Sequence, residues 1–339
     1  MELFLAILMF IAGIILIIKG GDWFVDSSTW IAKAAKIPAF IIGATIVGFA
    51  TSLPELIVSI VASIQGKNDM AIGNAVGSVI ANTGLIMAIA LTFMNLTTPR
   101  KDYWQQSLLL IGCIVVLWLG CLTGTLDLWA SIIMLLICFV FIAISIVQGR
   151  QANSTQKSNT TIEPLVKQSD VSNETTNNIK KDEPILITKK LIIKNIFFFF
   201  LGATCVIWGS DLLIDGGSTI ATALKVPERL IAITLVAVGT SLPELVTTIV
   251  AIRKKEGGLM AGNIIGSNII DLTLILPICS FIRNDFTVSQ QSLMIDFPFL
   301  LGFSLFALVP IILKQRTYKW QGILMLIGYA AYLTISFIL

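Results

Sequence analysis

Two short polar segments lie inside apolar stretches of this chain and carry groups that could do chemistry. The pentapeptide TSLPE occupies residues 51–55 and recurs at residues 240–244. Each copy places a glutamate, Glu55 or Glu244, within an apolar run long enough to cross a lipid bilayer. A charged group at that depth costs about 2.5–3.5 kcal/mol on insertion scales unless it faces a partner or a water-filled cavity. The two glutamates therefore indicate a functional site inside the membrane.

The side chains around each glutamate provide oxygen atoms suited to a hard cation. The adjacent proline cannot donate a backbone hydrogen bond, which frees a carbonyl oxygen one turn earlier. In the next apolar run, Asn74, Ser78 and Asn82 recur at four-residue spacing and share one helix face. An all-oxygen set without sulfur or imidazole favours Na+, Ca2+ or Mg2+ over softer metals. The candidate ligands are Thr51, Ser52, Glu55, Ser78, Asn82, Thr240, Ser241, Glu244, Ser267 and Asp271.

One pair of matched positions differs between the two segments, because Asn82 in the first half corresponds to Asp271 in the second. The predicted site therefore contains three carboxyl groups and one amide. Three neighbouring carboxylates cannot all stay ionised unless bound cations or a shared proton neutralise them. A site of this kind can exchange one ionic load for another.

Each of these residue types also has a purely structural explanation. A serine or threonine in a membrane helix commonly bonds its own backbone, and a lone asparagine or a Gly-xxx-Gly pair commonly serves helix packing. The recurrence of one oxygen pattern around an intramembrane glutamate favours function. For the matched aspartates near the ends of two apolar runs, pairing or capping is favoured over a role in ion entry; these are Asp22, Asp26, Asp211 and Asp215.

Composition identifies an integral membrane protein. Hydrophobic residues make up 56% of the chain and charged residues 13%, against roughly 25% charged in soluble domains. Histidine is absent, which argues against His-dependent hydrolases and against zinc or copper sites. The five cysteines occur singly and are expected to pack as small apolar residues. No enzymatic activity is predicted, and an intramembrane protease is disfavoured because a Ser/His pair and a GxGD motif are both lacking.

Apolar runs predict an all-α membrane protein with ten spans of about 20 residues each. The spans lie near 3–22, 39–64, 70–95, 105–123, 127–148, 191–215, 229–252, 258–282, 291–313 and 320–338, and the first helix is expected to extend to about residue 34. Residues 149–190 are rich in Ser, Thr, Asn, Gln and Lys and are predicted to form a flexible linker. The chain thus divides into five spans in residues 1–148, the linker, and five spans in residues 191–339.

The two halves align without a gap at a spacing of 189 residues. Residues 73–78, GNAVGS, match residues 262–267, GNIIGS, in the same register that pairs the two TSLPE segments. About 25 of the 63 positions from Gly20 to Asn82 are identical to their partners. Because each half has five spans, the second copy enters the membrane in the opposite orientation. Inverted repeats with interrupted helices near the midplane are typical of secondary transporters.

The distribution of basic residues predicts the orientation of the spans. Most of the 23 Lys and Arg residues lie in the loops after the odd-numbered spans, including the linker. Because basic loops remain in the cytoplasm, the linker is predicted to be cytoplasmic and both termini to be outside.

The paired segments resemble the two alpha repeats of the cation/calcium exchanger superfamily, in particular its prokaryotic sodium/calcium antiporters. The resemblance implies that Glu55, Asn82, Glu244 and Asp271 line a cluster of cation sites, with the glutamates binding Ca2+. It further implies that spans one and six slide as a pair to alternate access. The chain departs from the repeat pattern at residues 48–50, GFA, where the second half has AVG at 237–239. The hydroxyl and carbonyl ligands that the resemblance adds are Thr51, Ser52, Ser78, Thr240, Ser241, Ser267, Gly48 and Ala237.

These observations predict an antiporter that extrudes Ca2+ with the Na+ gradient across the inner membrane of a prokaryote. Its expected partners are Ca2+ and Na+ as substrates and the lipid bilayer, with no cofactor, nucleic acid or obligate protein partner. Alternatives are Ca2+/H+ exchange, K+-dependent Na+/Ca2+ exchange and, from a different class, a cation channel. Ca2+/H+ exchangers of the superfamily carry an asparagine where this chain has Thr51 and Thr240, which favours sodium coupling.

Overall fold

The computed structural model describes residues 2–94, 100–160, 188–224, 239, 241–283 and 285–338. Secondary structure in those ranges is helical apart from one isolated antiparallel bridge between Thr125 and Thr287. The helices are α1 Glu2–Ala35, α2 Ala39–Ile42, α3 Gly48–Thr51, α4 Leu53–Ile64, α5 Asn68–Ala81, α6 Ala88–Phe93, α7 Arg100–Gly120, α8 Leu128–Thr160, α9 Lys189–Ala223, α10 Leu242–Arg253, α11 Gly257–Ile270, α12 Leu276–Ile282, α13 Phe297–Lys314 and α14 Lys319–Ile338. Turns of π-helix occupy Gly43–Val47, Asn82–Met87, Asp271–Ile275 and Ser292–Asp296.

The helices confirm an all-α protein with membrane-spanning character. Seven helical segments among the described residues are long and apolar enough to cross a bilayer, or eight when the bent pair formed by 39–51 and 53–64 counts as one. The predicted seventh span, 229–252, lies partly outside the described residues. The predicted tenth span coincides with α14, which is not among those seven. The total of ten spans stays a prediction.

Two helices extend beyond the expected spans. α1 continues to Ala35, as the sequence predicted. α8 continues to Thr160, so the first part of the stretch predicted to be a flexible linker is helical. Proline, which would stop a helix, is absent from 128–160. Residues 161–187 of the predicted linker lie outside the described part of the chain.

The two longest helices, α1 and α9, pack closely along a stripe of glycines. A Cβ atom at Gly13 would lie 2.7 Å from the Gly209 carbonyl oxygen, and one at Gly202 would lie 2.8 Å from the Gly20 carbonyl oxygen. The helices run antiparallel, and the two contacts exchange places when each residue is replaced by its partner 189 positions away. Small residues bring the two backbones together here, as in other membrane helix pairs.

α5 and α11 are the most buried of the long apolar helices and form the centre of the molecule. α11 packs against the segment from α2 to α3, where Gly262 contacts the Phe40 carbonyl and Gly266 contacts the Ala44 carbonyl. The close helix approach expected of both Gly-xxx-Gly pairs is confirmed at Gly262/Gly266 but not at Gly73/Gly77, where an added Cβ atom would meet no described atom within 4 Å. The cysteines are free, as expected for packing residues, and four of them are buried: Cys113, Cys121, Cys138 and Cys279.

The connections after α4, α7 and α12 meet at one end of the helix bundle. The Asn68 side chain donates hydrogen bonds to the Asp285 carbonyl at 2.8 Å and to the Thr287 hydroxyl at 3.1 Å. Thr287 also forms the isolated bridge with Thr125. These are three of the loops that the charge distribution assigned to the side poor in Lys and Arg.

A cationic contact joins α1 to the turn between α10 and α11. The Lys254 ammonium lies 2.8 Å from an Asp26 carboxylate oxygen and 3.4 Å from one of Asp22. It also donates to the Asp22 backbone carbonyl at 3.0 Å. The interpretation of these aspartates as structural partners is therefore confirmed for the α1 pair.

Candidate functional site

The first predicted motif lies at a break between two helices. Ser52, with φ −80° and ψ 0°, separates α3 from α4, and the two flanking segments differ in direction by 44°. Pro54 occupies the first turn of α4, where its missing N–H costs no hydrogen bond. Glu55 follows in the same turn, near the positive end of the helix dipole. From their spacing, Thr51, Ser52 and Glu55 were expected on one face of a helix loosened by Pro54; in the structure the helix is interrupted at Ser52 and a new helix begins at Leu53.

The second motif repeats this geometry. Ser241 has φ −87° and ψ 7° and precedes α10, which carries Pro243 in its first turn. Glu244 lies there too, as Glu55 does in α4. α4 and α10 begin and end at positions that differ by the same 189 residues. Each half thus presents a glutamate from the N-terminus of a helix inside the protein.

The remaining acidic and amide positions begin π-helical turns. α5 ends where Asn82 starts the turn to Met87, and α11 ends where Asp271 starts the turn to Ile275. Such wide turns interrupt regular α-helical hydrogen bonding and occur frequently at functional sites. The pair that breaks the chemical symmetry of the two halves therefore occupies equivalent backbone positions.

The described members of the predicted site are all buried, at no more than 3% exposure. Buried polar atoms in proteins are normally hydrogen-bonded, and leaving one unpaired costs about 1–3 kcal/mol. Here a set of oxygen atoms from both halves lacks a hydrogen-bond partner among the described residues. These atoms are Ser52 Oγ, Glu55 Oε2, Asn82 Oδ1, Ser241 Oγ, both carboxylate oxygens of Glu244 and both of Asp271.

The unpaired oxygens from the two halves lie next to one another. Thr51 is beside Glu244, and Ser52 is beside Asp271, although neither hydroxyl makes a hydrogen bond with its neighbouring carboxyl group. The carboxyl groups of Glu55, Glu244 and Asp271 are close enough to repel one another when ionised. A cation among them would remove that repulsion and supply the missing partner.

Hydrogen bonds from two matched asparagines hold the glutamate-bearing segments in place. Asn74 donates to the Glu55 backbone carbonyl at 3.0 Å and to Ser59 Oγ at 2.9 Å. Its counterpart Asn263 donates to Thr247 Oγ1 at 3.0 Å. Thr51 donates to Asn263 Oδ1 at 3.1 Å and so connects the two halves.

Three predicted ligands are engaged by the protein itself. Ser78 Oγ donates to Glu55 Oε1 at 3.4 Å. Ser267 Oγ donates to the Ile264 carbonyl at 3.2 Å. The Gly48 carbonyl accepts from the Ser52 backbone N–H at 3.0 Å. The Thr51 hydroxyl lies 3.3 Å from the same oxygen, but its single proton goes to Asn263, so Thr51 does not fill the second acceptor position of Gly48. The predicted ligands Thr240 and Ala237 lie outside the described residues.

Sequence reasoning missed Asn268, which lies in α11 next to Ser267. Its side chain is 1% exposed and bonds Asn82 at 3.0 Å and Thr83 at 2.9 Å. The available signal was an amide in an otherwise apolar stretch. The matched position in the first half is Val79, so the repeat comparison gave no reason to select it.

The donor set is that of a mixed oxygen site. Within the described ranges, no three Asp, Glu or Cys side chains converge closely enough to hold a metal ion by themselves. Ca2+ in proteins takes six to eight oxygens from carboxylates, carbonyls, amides and water. The hydroxyl, amide and carboxylate oxygens gathered here are of the types that such a cation uses.

Comparison with known proteins gives consistent findings from a family, two relatives and a solved structure. The family described as sodium/calcium exchanger protein matches residues 5–147 and 194–338. The sodium/calcium exchanger MaX1 of Methanosarcina acetivorans is 32% identical, over 97% of this chain and 98% of its own length. Inner membrane protein YrbG of Escherichia coli is 28% identical over 82% of this chain and 80% of its own length. A solved structure of the sodium-calcium exchanger NCX_Mj, soaked with Na+ and Sr2+, matches with a TM-score of 0.78 at 27% identity and covers 98% of both chains.

Proposed function

Because the chain belongs to the sodium/calcium exchanger family, we propose that it is an antiporter that uses Na+ entry to move Ca2+ out of the cell. The observation that carries the proposal is the group of buried, unpartnered oxygens contributed by both halves. The lack of nitrogen or sulfur ligands in this group favours Na+ and Ca2+ as cargo.

In this proposal the two ions compete for one cage. Ca2+ takes Glu55 and Glu244 together, because a divalent ion gains most from two carboxylates in a poorly solvated site. Na+ ions occupy the flanking positions, which include Asp271, Asn82 and the neighbouring hydroxyls. Either Ca2+ or Na+ neutralises the carboxylates. Access to the occupied site can then switch from one face of the membrane to the other.

We further propose that the chain consists of two inverted five-span repeats and works by alternating access. The matched contacts of Gly13 with Gly209 and of Gly202 with Gly20 support a two-fold relation between α1 and α9. One face of α9, including Phe199 and Ala203, borders an apolar cavity of about 860 Å3 that α8 and the segment 37–53 also line. Apolar contacts of this kind let α1 and α9 slide as a pair with little change in polar bonding.

The orientation follows from the positive-inside rule. We propose that both termini are outside, that the stretch between α8 and α9 is cytoplasmic, and that the protein resides in the inner membrane of a prokaryote. The similarity to YrbG, an inner membrane protein of Escherichia coli, supports this location.

Isotope flux in proteoliposomes tests the function. Purified protein is reconstituted, and 45Ca2+ uptake is followed while Na+, K+ and H+ gradients are imposed one at a time. Na+-driven uptake that needs neither of the other gradients is expected. Uptake driven by a pH gradient in Na+-free buffer would instead assign Ca2+/H+ exchange, an absolute requirement for K+ would assign the K+-dependent variant, and flux without any counter-ion would assign a channel.

A further inference from the structure

Asn268 has an arrangement of hydrogen bonds that determines which end of the Asn82 amide faces the cation site. Asn82 Nδ2 donates to Asn268 Oδ1 at 3.0 Å, and Asn268 Nδ2 donates to Thr83 Oγ1 at 2.9 Å. All three side chains are buried at 2% exposure or less. The Asn82 Oδ1 atom has no hydrogen-bond partner.

A second acceptor distinguishes this orientation from the one with both amides reversed. Asn82 Nδ2 also lies 3.4 Å from Ser267 Oγ. The Ser267 hydroxyl donates its proton to the Ile264 carbonyl at 3.2 Å and therefore presents lone pairs to Asn82. A reversed Asn82 would place its carbonyl oxygen against those lone pairs. The nitrogen thus faces Asn268 and Ser267, and the oxygen is left for an ion.

Asp271, the counterpart of Asn82 in the second repeat, has no equivalent orienting amide beside it at the matched positions. The positions that match Asn268 and Thr83 are Val79 and Leu272. The carboxylate of Asp271, which matches Asn82, has oxygens on both sides and binds a cation whichever way it turns. Of the two matched positions, Asn82 is the one whose side chain has two chemically different ends, and it is the one that Asn268 contacts.

We propose that Asn268 is a positioning residue for cation binding, which holds the Asn82 amide with its oxygen towards the ion and its nitrogen away. Because an amide nitrogen carries donors and no acceptor, a reversed Asn82 would turn a ligand into a repulsive group. The inference rests on the proposed function in that it names Na+ as the ion that Asn82 helps to bind.

A double-mutant cycle tests the role, with the Na+ concentration at half-maximal thermal stabilisation as the readout. This measurement reports binding in the intact protein without requiring transport. Asn268→Val substitutes the residue of the matched position and is expected to raise the Na+ midpoint about tenfold, the lower end of effects seen for residues that orient metal ligands. In an Asn82→Ala background the same substitution is expected to change the midpoint less than about twofold, since no amide remains to be oriented.

Two further variants separate orientation from packing. Asn268→Asp keeps an acceptor for Asn82 Nδ2, and the Thr83 hydroxyl can donate to its other oxygen, so the Na+ midpoint should stay within about threefold of the wild-type value. Asn195→Val makes the same chemical change in α9, where the amide bonds only the Leu191 carbonyl of its own helix, at 2.8 Å, and should leave the midpoint unchanged.

The outcomes distinguish this inference from the proposed function. A wild-type midpoint for Asn268→Val, an equal effect of Asn268→Val in both backgrounds, or an Asn268→Asp protein as weak as Asn268→Val would overturn the positioning role. If the cycle gives the expected coupling while wild-type protein fails to drive 45Ca2+ uptake with Na+, the positioning role stands and the proposed transport reaction is wrong.

Discussion

Replacing Glu244 with glutamine should abolish Ca2+ binding more completely than Na+ binding. Neither oxygen of this buried carboxylate has a hydrogen-bond partner in the part of the chain that the structure describes, so its charge is available to a bound ion. At a Ca2+–oxygen distance of about 2.4 Å and an effective dielectric constant of about 20, the gross attraction is about 14 kcal/mol for Ca2+ and about 7 for Na+. Desolvation of the ion and the carboxylate offsets much of both attractions. If a third of the attraction for Ca2+ remains, it still exceeds the roughly 4 kcal/mol that corresponds to a thousandfold change in affinity.

Thermal unfolding in detergent measures this loss directly. Wild-type protein at a Ca2+ concentration of 100 times its Kd should gain about 2.7 kcal/mol of stability, equivalent to a rise in Tm of about 4 °C. After a thousandfold loss of affinity, the same Ca2+ concentration stabilises Glu244→Gln by only about 0.06 kcal/mol, which leaves Tm unchanged. Glu256→Gln is the matched control, because Glu256 lies in the turn before α11 and has no capping hydrogen bond. A normal Ca2+-dependent rise in Tm, or normal Na+-driven 45Ca2+ uptake, for Glu244→Gln would refute the assignment of Glu244 as a Ca2+ ligand.

Two further predictions concern α1. Lys254→Gln removes its ion pair with Asp26. Because these groups are partly exposed, we expect a stability loss of at most about 1 kcal/mol and a longer spin-label distance between α1 and the α10–α11 turn. A stability loss that is the same in 1 M salt would contradict an ionic explanation. Gly202→Ala places a methyl group 2.8 Å from the Gly20 carbonyl and should lower stability by about 1–3 kcal/mol in thermal unfolding. Gly302→Ala, at a position with open space among the described residues, is the control and should be neutral or slightly stabilising; equal losses for both variants would show that the α1–α9 contact is not the cause.

The spacing of residues along the sequence was sufficient to predict which residues form the site, but not where the helices that carry them begin and end. The recurrence of TSLPE and of the following Gly-Asn segments selected Glu55 and Glu244, and their complete burial agrees with a site inside the membrane. The same spacing predicted that Thr51, Ser52 and Glu55 share a face of a helix loosened by Pro54; the structure goes further and interrupts the helix at Ser52, between Thr51 and Glu55. A proline in sequence shows that a hydrogen bond is missing but does not show whether the helix bends or ends.

The sequence also could not show which candidate ligand atoms are already engaged in hydrogen bonds within the folded protein. Gly48 was expected to offer a carbonyl ligand, and its oxygen already accepts one hydrogen bond, from the Ser52 backbone N–H. α8 extends to Thr160, into the stretch whose polar composition predicted a flexible linker; the linker stays a prediction, because residues 161–187 lie outside the described part of the chain. The composition of a segment indicates how much apolar surface it can bury. Whether a helix continues into that segment depends on residues such as proline that end helices.

The sequence alone determined that this is an all-α membrane protein whose two related halves each carry a buried glutamate among oxygen-bearing side chains. Those properties are local, because hydropathy, residue chemistry and the 189-residue register can be read without knowing any contact. Only the tertiary structure decided that Thr51 lies beside Glu244, that Ser52 lies beside Asp271, and that Asn268 turns the Asn82 amide. These relations join residues roughly 190 to 220 positions apart, and packing of α11 against the segment from α2 to α3 and of α5 against its neighbours brings them together. The symmetry of the repeat selects the ligands, and the packing of one half against the other fixes their orientation.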